Sequence, residues 1–183
     1  LATLEPMIDF SNKLLHLIES PRAIDQVTQI AAFKDVVGLF FGAADSSASL
    51  GCKLAWEPLL YARQKVVLAA AMYNLFTIDA PFFYMDDKEG LKKEAEAVKN
   101  LGFTGKAAIH PDQIDFINES FAPTSEEIAE GKKVLEEYQK SGGGAVKIDG
   151  QMVDEPIAEA MRLKISLGEE EAVSYTHLTL PTK

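Results

Sequence analysis

Strand and helix signals alternate along this chain, which predicts an α/β fold built on parallel strands. Two observations carry the prediction. Four short apolar runs, Leu14–Ile18, Val37–Phe41, Phe76–Ala80 and Ala107–Ile109, have the length and continuity of buried strands. Between them lie stretches whose apolar residues recur at helical spacing. A strand–helix–strand repeat needs crossover connections, as in an open doubly wound sheet or a closed barrel.

Taken in order, the first run ends at Glu19, and Ser20-Pro21 then supply an N-cap and first helical residue for a helix with Ile24, Val27 and Ala31 on one face. His16, inside that run, reads as a packed core residue with no further role. The second run ends at Phe41 and leads through Gly42-Ala-Ala to Asp45. A long helix is expected from about Glu57 to Tyr73. Another carries Leu91, Ala95, Val98 and Leu101 ahead of Gly102, where a left-handed cap belongs. Beyond the fourth run, His110-Pro111 opens a helical stretch to Phe121. Ser125–Lys140 follows, started by a Thr124-x-x-Glu127 capping box and stopped by Gly142-Gly143-Gly144. A short Ala145–Asp149 segment, a turn at Asp149-Gly150 and a helix begun near Pro156 complete a C-terminal appendage. Trp56, Tyr61 and Phe82-Phe83-Tyr84 read as core or loop packing, and Lys92-Lys93 and Lys132-Lys133 as solvated helix faces.

With 183 residues, 47% of them apolar and 25% charged, the chain has the composition of a soluble globular domain. Eighteen basic residues against 28 acidic ones leave a net charge of −10, which argues against a surface that neutralises phosphates, so nucleic acid is not an expected partner. No apolar run approaches the roughly 20 residues of a membrane span. The single Cys52 can form neither an internal disulfide nor a thiolate metal cluster, which fits a reducing compartment, cytoplasmic or, as the alternative, the mitochondrial matrix. No targeting peptide is visible in Leu1 to Phe10. Composition changes abruptly after Glu169-Glu170-Glu171, so residues 173–183 are expected to be non-native read-through, and His177 carries no weight.

Chemistry in parallel α/β folds gathers at the carboxyl ends of the strands, and two acids stand there. Glu19 directly follows the first run and Asp45 closely follows the second. Such a pair suits Mg²⁺, which takes one or two carboxylates and completes its octahedron with waters and substrate oxygens. The alternatives are structural: Glu19 as the residue before a cap, Asp45 as the cap of a turn at Ser46-Ser47. His110 ends the fourth run, either as a satisfied strand-end histidine or beside an anion site at the helix opened by Pro111. Asp154, just ahead of Pro156, is explained by helix capping on spacing alone.

Five blocks carry a family likeness: Leu17-Ile-Glu-Ser-Pro21, Phe41-Gly-Ala-Ala-Asp45, Leu60-Tyr-Ala-Arg-Gln-Lys65, Gly102-Phe-Thr-Gly-Lys-Ala-Ala-Ile-His-Pro111 and Gly150-Gln-Met-Val-Asp-Glu-Pro156. In these blocks, and in their order, residues 3 to 167 resemble the citrate lyase beta subunit-like family of the HpcH/HpaI aldolase superfamily. The likeness is strongest to its acyl-CoA lyases of the citryl-, malyl- and citramalyl-CoA type, although Phe41 to Gly51 also looks like the pyruvate aldolase branch.

The resemblance implies a (β/α)₈ TIM barrel of roughly 250 residues, of which this chain is similar to the C-terminal half, about four parallel strands with their helices, plus a helical C-terminal appendage. It implies a partial barrel lyase domain over 1–122 and an appendage or lid over 123–172, followed by the tail at 173–183. Glu19 and Asp45 match the family's two Mg²⁺ ligands. Asp154 matches its catalytic acid/base, which in family trimers reaches the active site of a neighbouring subunit. His110, Pro111, Gln113 and Ile114 look like part of the coenzyme A region. The family's arginine for the substrate carboxylate has no counterpart here. The implied activity is Mg²⁺-dependent cleavage or formation of a 3-hydroxyacyl-CoA, giving acetyl-CoA or a related thioester plus a 2-oxo acid, in a homo-oligomer. The alternatives are an aldolase acting on free 2-oxo acids and a noncatalytic half-barrel that binds a partner.

Overall fold

The structure is a computed structural model that describes residues 13–163, 165 and 166. The segments read as a targeting-free start and as read-through, Leu1 to Phe10 and 173–183, lie outside the described residues. The chain divides between Phe121 and Ala122 into two compact units.

In the first unit, β1 (Leu14–Ile18), β2 (Val36–Phe41), β3 (Phe76–Asp79) and β4 (Gly105–Lys106) form one parallel sheet in the order β1-β2-β3-β4. The crossovers are α1 (Pro21–Asp25) with α2 (Val27–Ala31), α3 (Ala43–Leu50) with α4 (Trp56–Met72), and α5 (Lys88–Leu101). A 3-10 turn, Pro111–Gln113, and α6 (Ile114–Phe121) follow β4. Strand order follows chain order, without the reversal that defines a doubly wound sheet. A register shift between Leu14 and Leu15 absorbs one residue of β2, so that Ile18 pairs with Phe41 and the two strands end level. Helices and sheet meet in a core where Ile18, Leu39, Phe41, Leu59, Val66 and Val98 are fully buried. Side chains of this kind each contribute roughly 1.5–3 kcal/mol by leaving water.

Three expectations change. The helix opened by Ser20, whose Oγ accepts from the Ala23 N–H at 3.2 Å, is interrupted at Gln26, where ψ of 14° leaves helical geometry. The first strand is not buried along its length: only Ile18 is, while Leu14, Leu15, His16 and Leu17 are exposed, because among the described residues β1 pairs with β2 alone. His16 is therefore no core histidine. The fourth strand is Gly105–Lys106 rather than Ala107–Ile109. One further ladder bond, Ala107 N–H to Asp79 O at 2.9 Å, continues it, after which the Ile109 N–H turns to the side chain of Gln113.

The second unit pairs a helix with a hairpin. α7 (Ser125–Lys140) starts at the anticipated capping box, with Thr124 Oγ1 accepting from the Glu127 N–H at 3.1 Å and Glu127 Oε2 accepting from the Thr124 N–H at 2.9 Å. β5 (Val146–Ile148) and β6 (Gln151–Val153) run antiparallel around Asp149 and Gly150, whose φ values of 48° and 91° are those a two-residue hairpin turn demands. A last helix, α8, covers residues 155–163. Val134, Tyr138, Ile148, Val153 and Ala158 form its core. The glycine run is tied into this unit: the Tyr138 hydroxyl shares its one proton between Gly143 O at 2.7 Å and Glu155 Oε2 at 3.0 Å, and the Ser141 hydroxyl donates to Tyr138 O at 2.7 Å. Among the described residues no helix is long and apolar enough to cross a membrane.

Candidate active site

Because β1 and β2 are parallel and end level, the residues that follow them emerge on the same edge of the sheet. Glu19 leaves β1 half-buried, just before the cap Ser20, and the Gly42 N–H donates to Ile18 O at 2.9 Å, joining the two strand ends. Gly42 is required by proximity. A Cβ there would lie 2.6 Å from Glu19 Cβ and 3.1 Å from Glu19 Oε2, so the glycine makes the cradle in which the Glu19 side chain rests. Gly42 is also the N-cap of α3, which places Asp45, exposed, inside the first turn of that helix rather than capping a turn at Ser46-Ser47. Among the described residues neither carboxylate has a hydrogen-bonding or cationic partner. No three of the described His, Cys, Asp and Glu side chains gather into a metal-holding group. Two unpaired hard oxygen donors after adjacent strand ends, one of them seated against a glycine that admits its side chain, have the chemistry of ligands to a hydrated Mg²⁺.

A third strand-end acid, Asp79, escaped the sequence reading. It closes β3, is fully buried, and accepts from Arg63 Nε at 2.8 Å and from Lys106 Nζ at 3.0 Å. The Lys106 ammonium, itself buried, also donates to Ala80 O and to Glu94 Oε1, each at 2.7 Å. With both cations engaged on it, Asp79 is a strut, not a third metal ligand. Its signal was present: an acid ending an apolar strand, an arginine inside an apolar helix and a lysine before an apolar run each need a buried counter-charge. The Arg63 guanidinium also lies 5.2 Å from the Phe41 ring centroid and 4.8 Å from that of Trp56. Arg63 Nη1 and Ser46 Oγ are buried without a hydrogen-bond partner.

The loops after β3 and β4 enclose a groove of about 340 Å³ whose walls include Tyr84, Lys88, His110, Gln113 and Phe116. His110 and Gln113 thus come together there, whereas Pro111 and Ile114 are not among the lining residues. The roles of the two differ. Gln113 is buried and its amide is fully used, donating to Phe82 O and accepting from the Ile109 N–H, each at 2.9 Å, so it binds one loop to the other. His110 Nδ1 accepts from the Asp112 N–H at 3.2 Å as the cap of the 3-10 turn, and the half-exposed ring reaches the groove.

Asp154 belongs to the second unit. Its backbone carbonyl accepts from the Ala158 N–H at 2.9 Å, the N-cap position of α8, yet its carboxylate accepts no hydrogen bond from a described residue. Its neighbour Glu155 is committed: the bonds from Arg162 at 2.7 Å and from the Tyr138 hydroxyl at 3.0 Å hold its carboxyl below the usual carboxylate range. Burial, followed by that bond to Glu155, pushes the Tyr138 phenol up.

A parallel α/β sheet with carboxylates on the edge where its strands end is of the class in which loops beyond those ends hold the ligand. Comparison with known proteins narrows this. The chain belongs to the HpcH/HpaI aldolase/citrate lyase family, whose pattern it matches over residues 9–111. It is 36% identical to the citrate lyase subunit beta of Haemophilus influenzae over 159 residues, covering 84% of this chain and 55% of that protein. Against the mitochondrial citramalyl-CoA lyase of Rattus norvegicus it is 35% identical over 144 residues, 76% of this chain and 42% of that one. The crystal structure of protein CitE from Mycobacterium tuberculosis in complex with magnesium, acetoacetate and coenzyme A superposes with a TM-score of 0.79 at 29% identity, over 86% of this chain and 61% of that chain. The chain thus spans about half the length of the curated relatives it matches.

Proposed function

We propose that this chain supplies the metal site and the acid/base of a Mg²⁺-dependent lyase that cleaves, or forms, a 3-hydroxyacyl-CoA of the malyl-, citramalyl- or citryl-CoA type. The observation that carries this is the pair of unpartnered carboxylates, Glu19 and Asp45, at the ends of adjacent parallel strands joined through Gly42. Relatives that act on citramalyl-CoA, and one holding magnesium and coenzyme A, support the substrate class. The sequential strand order, with a span of about half the relatives' length, supports reading the sheet as the C-terminal half of a (β/α)₈ barrel and the second unit as its appendage. Relatives from bacteria and from mitochondria fit a place in the cytoplasm or the matrix.

Glu19 and Asp45 would hold the ion, which when bound supplies Lewis-acid polarisation of the substrate oxygen on the carbon that becomes the 2-oxo group. Asp154, its carboxyl uncommitted, would give its proton to the acetyl methylene carbon as the carbon–carbon bond breaks and the hydroxyl proton passes to water, and would take a proton from the methyl carbon in condensation. The His110 ring would meet the coenzyme at the groove between the β3 and β4 loops. In a homo-oligomer Asp154 would serve a neighbouring subunit's Glu19/Asp45 pair.

Two measurements test this. Mn²⁺ binding, followed by the loss of the free ion's paramagnetic signal, should show one site per chain that Mg²⁺ displaces and that Glu19→Gln or Asp45→Asn removes; equal binding by all three refutes the metal site. In a protein extended to the relatives' length, mixing Asp154→Asn with Glu19→Gln subunits should restore release of the 2-oxo acid. Silence in confirmed mixed oligomers, with each parent folded but inactive, refutes the shared site.

A further inference from the structure

Arg63 poses a problem that stability does not solve. It is 3% exposed on α4, and a buried ion pair can commonly be replaced by packed apolar side chains at little or no loss of stability. What the guanidinium does that an apolar side chain cannot is hold two strand ends in register. Its Nε and Nη2 meet Asp79 Oδ1 and Oδ2 at 2.8 and 3.4 Å, and Asp79 is the last residue of β3. Its cationic group lies 5.2 Å from the ring centroid of Phe41, the last residue of β2, with Trp56 at 4.8 Å from the same group. Phe41 is followed at once by Gly42, which bonds to β1 and cradles Glu19, and then by the turn of α3 that carries Asp45. Phe41 is therefore joined, through Gly42, to the segments that carry both carboxylates.

We infer that Arg63 is a positioning residue for the Glu19/Asp45 pair, acting through Phe41 and anchored by Asp79. This rests on the Mg²⁺ reading of that pair. Lysine would keep the charge but has neither the planar face for Phe41 nor the two-pronged fit to Asp79, so Arg63→Lys separates positioning from mere charge. Phe41→Leu removes the ring and leaves the Arg63–Asp79 pair in place. Val98→Ala, in α5, is the control: it opens a cavity in the core of the same unit from a helix that carries neither the arginine nor the carboxylates.

The test is Mn²⁺ titration of the full 183-residue chain, with melting temperature measured beside it. Arg63→Lys and Phe41→Leu should each weaken Mn²⁺ about 10-fold, the scale found when a group that orients a metal ligand is lost. Val98→Ala should lower the melting temperature and leave the affinity where it was. Native affinity in both Arg63→Lys and Phe41→Leu overturns this inference while the metal site stands, and if Arg63→Lys does not fold, Phe41→Leu alone decides. An affinity loss in Val98→Ala equal to theirs also overturns it, since the effect would then be general loosening. No Mn²⁺ site in the native chain, or one that Glu19→Gln leaves intact, overturns the metal reading itself and this inference with it.

Discussion

Replacing Asp79 by asparagine tests whether the buried charge cluster under the strand ends is a strut. The carboxylate is fully buried and is met by two cations, Arg63 and Lys106, whose own side chains are 4% and 0% exposed. Asparagine keeps the shape and removes the charge, leaving Arg63 with no anion and Lys106 with Glu94 only. Breaking a buried ion pair by removing one partner costs about 3–5 kcal/mol, since a charge is left uncompensated away from water. With a urea dependence of roughly 1–3 kcal/mol per molar for a unit of this size, the unfolding midpoint should fall by about 2 M. The assay is built in: Trp56 is the chain's single tryptophan and lies against the Arg63 guanidinium, so its fluorescence reports the cluster directly. The apolar triple variant Arg63→Met, Asp79→Leu, Lys106→Met should recover much of the loss, because Glu94, 23% exposed, can turn to water once Lys106 is gone. An Asp79→Asn midpoint within about 0.3 M of native refutes the reasoning.

Three other outcomes follow from the same geometry. Gly42→Ala puts a methyl 2.6 Å from Glu19 Cβ, which is no flexible side-chain end, so Mn²⁺ affinity should drop about 10-fold; unchanged binding would contradict the cradle. Gln113→Ala strips the bonds to Phe82 O and from the Ile109 N–H and should cost about 1–3 kcal/mol, with faster amide exchange confined to the loops after β3 and β4. In the second unit the Tyr138 phenol is raised when folded. Its stabilisation is therefore present below the ordinary phenol pKa of about 10 and is lost as pH rises through the folded value. Glu155, depressed when folded, gives the opposite arm, with stability lost as pH falls through its folded value. Alkaline titration of tyrosinate absorbance should show a late-ionising component that Tyr138→Phe removes.

Much of the fold was legible because its signals are local. The Thr124/Glu127 box, the Gly102 cap and the Asp149-Gly150 turn each depend on residues within a few positions of one another, and each appears in the structure. The errors fall where a residue's state is set from far away. Gly105-Lys106 did not read as a strand because a lysine seldom pairs inside a sheet; it does so here because the carboxylate of Asp79, 27 positions earlier, accepts a hydrogen bond from its ammonium group. Leu14–Leu17 read as buried because an apolar run carries no mark of whether a second strand lies beside it. Asp45 was placed near a strand end, but the helix that holds it, α3, has too few apolar residues to announce itself. Strand-end logic alone singles out Glu19 and Asp45 as candidates; Asp79, subject to the same logic, needed Arg63 and Lys106 to be seen as its partners.

The outer side of β1 has a consequence for how the chain behaves in the test tube. Among the described residues no strand continues the sheet past it, and its leucines are 42–54% exposed. Such a border presents a ladder of backbone donors and acceptors flanked by apolar side chains, the kind of edge along which extended segments pair. A threshold concentration for clouding, lowered by salt that screens the net charge of −10 and raised by a lysine in place of Leu15, would mark the place where the polymer begins.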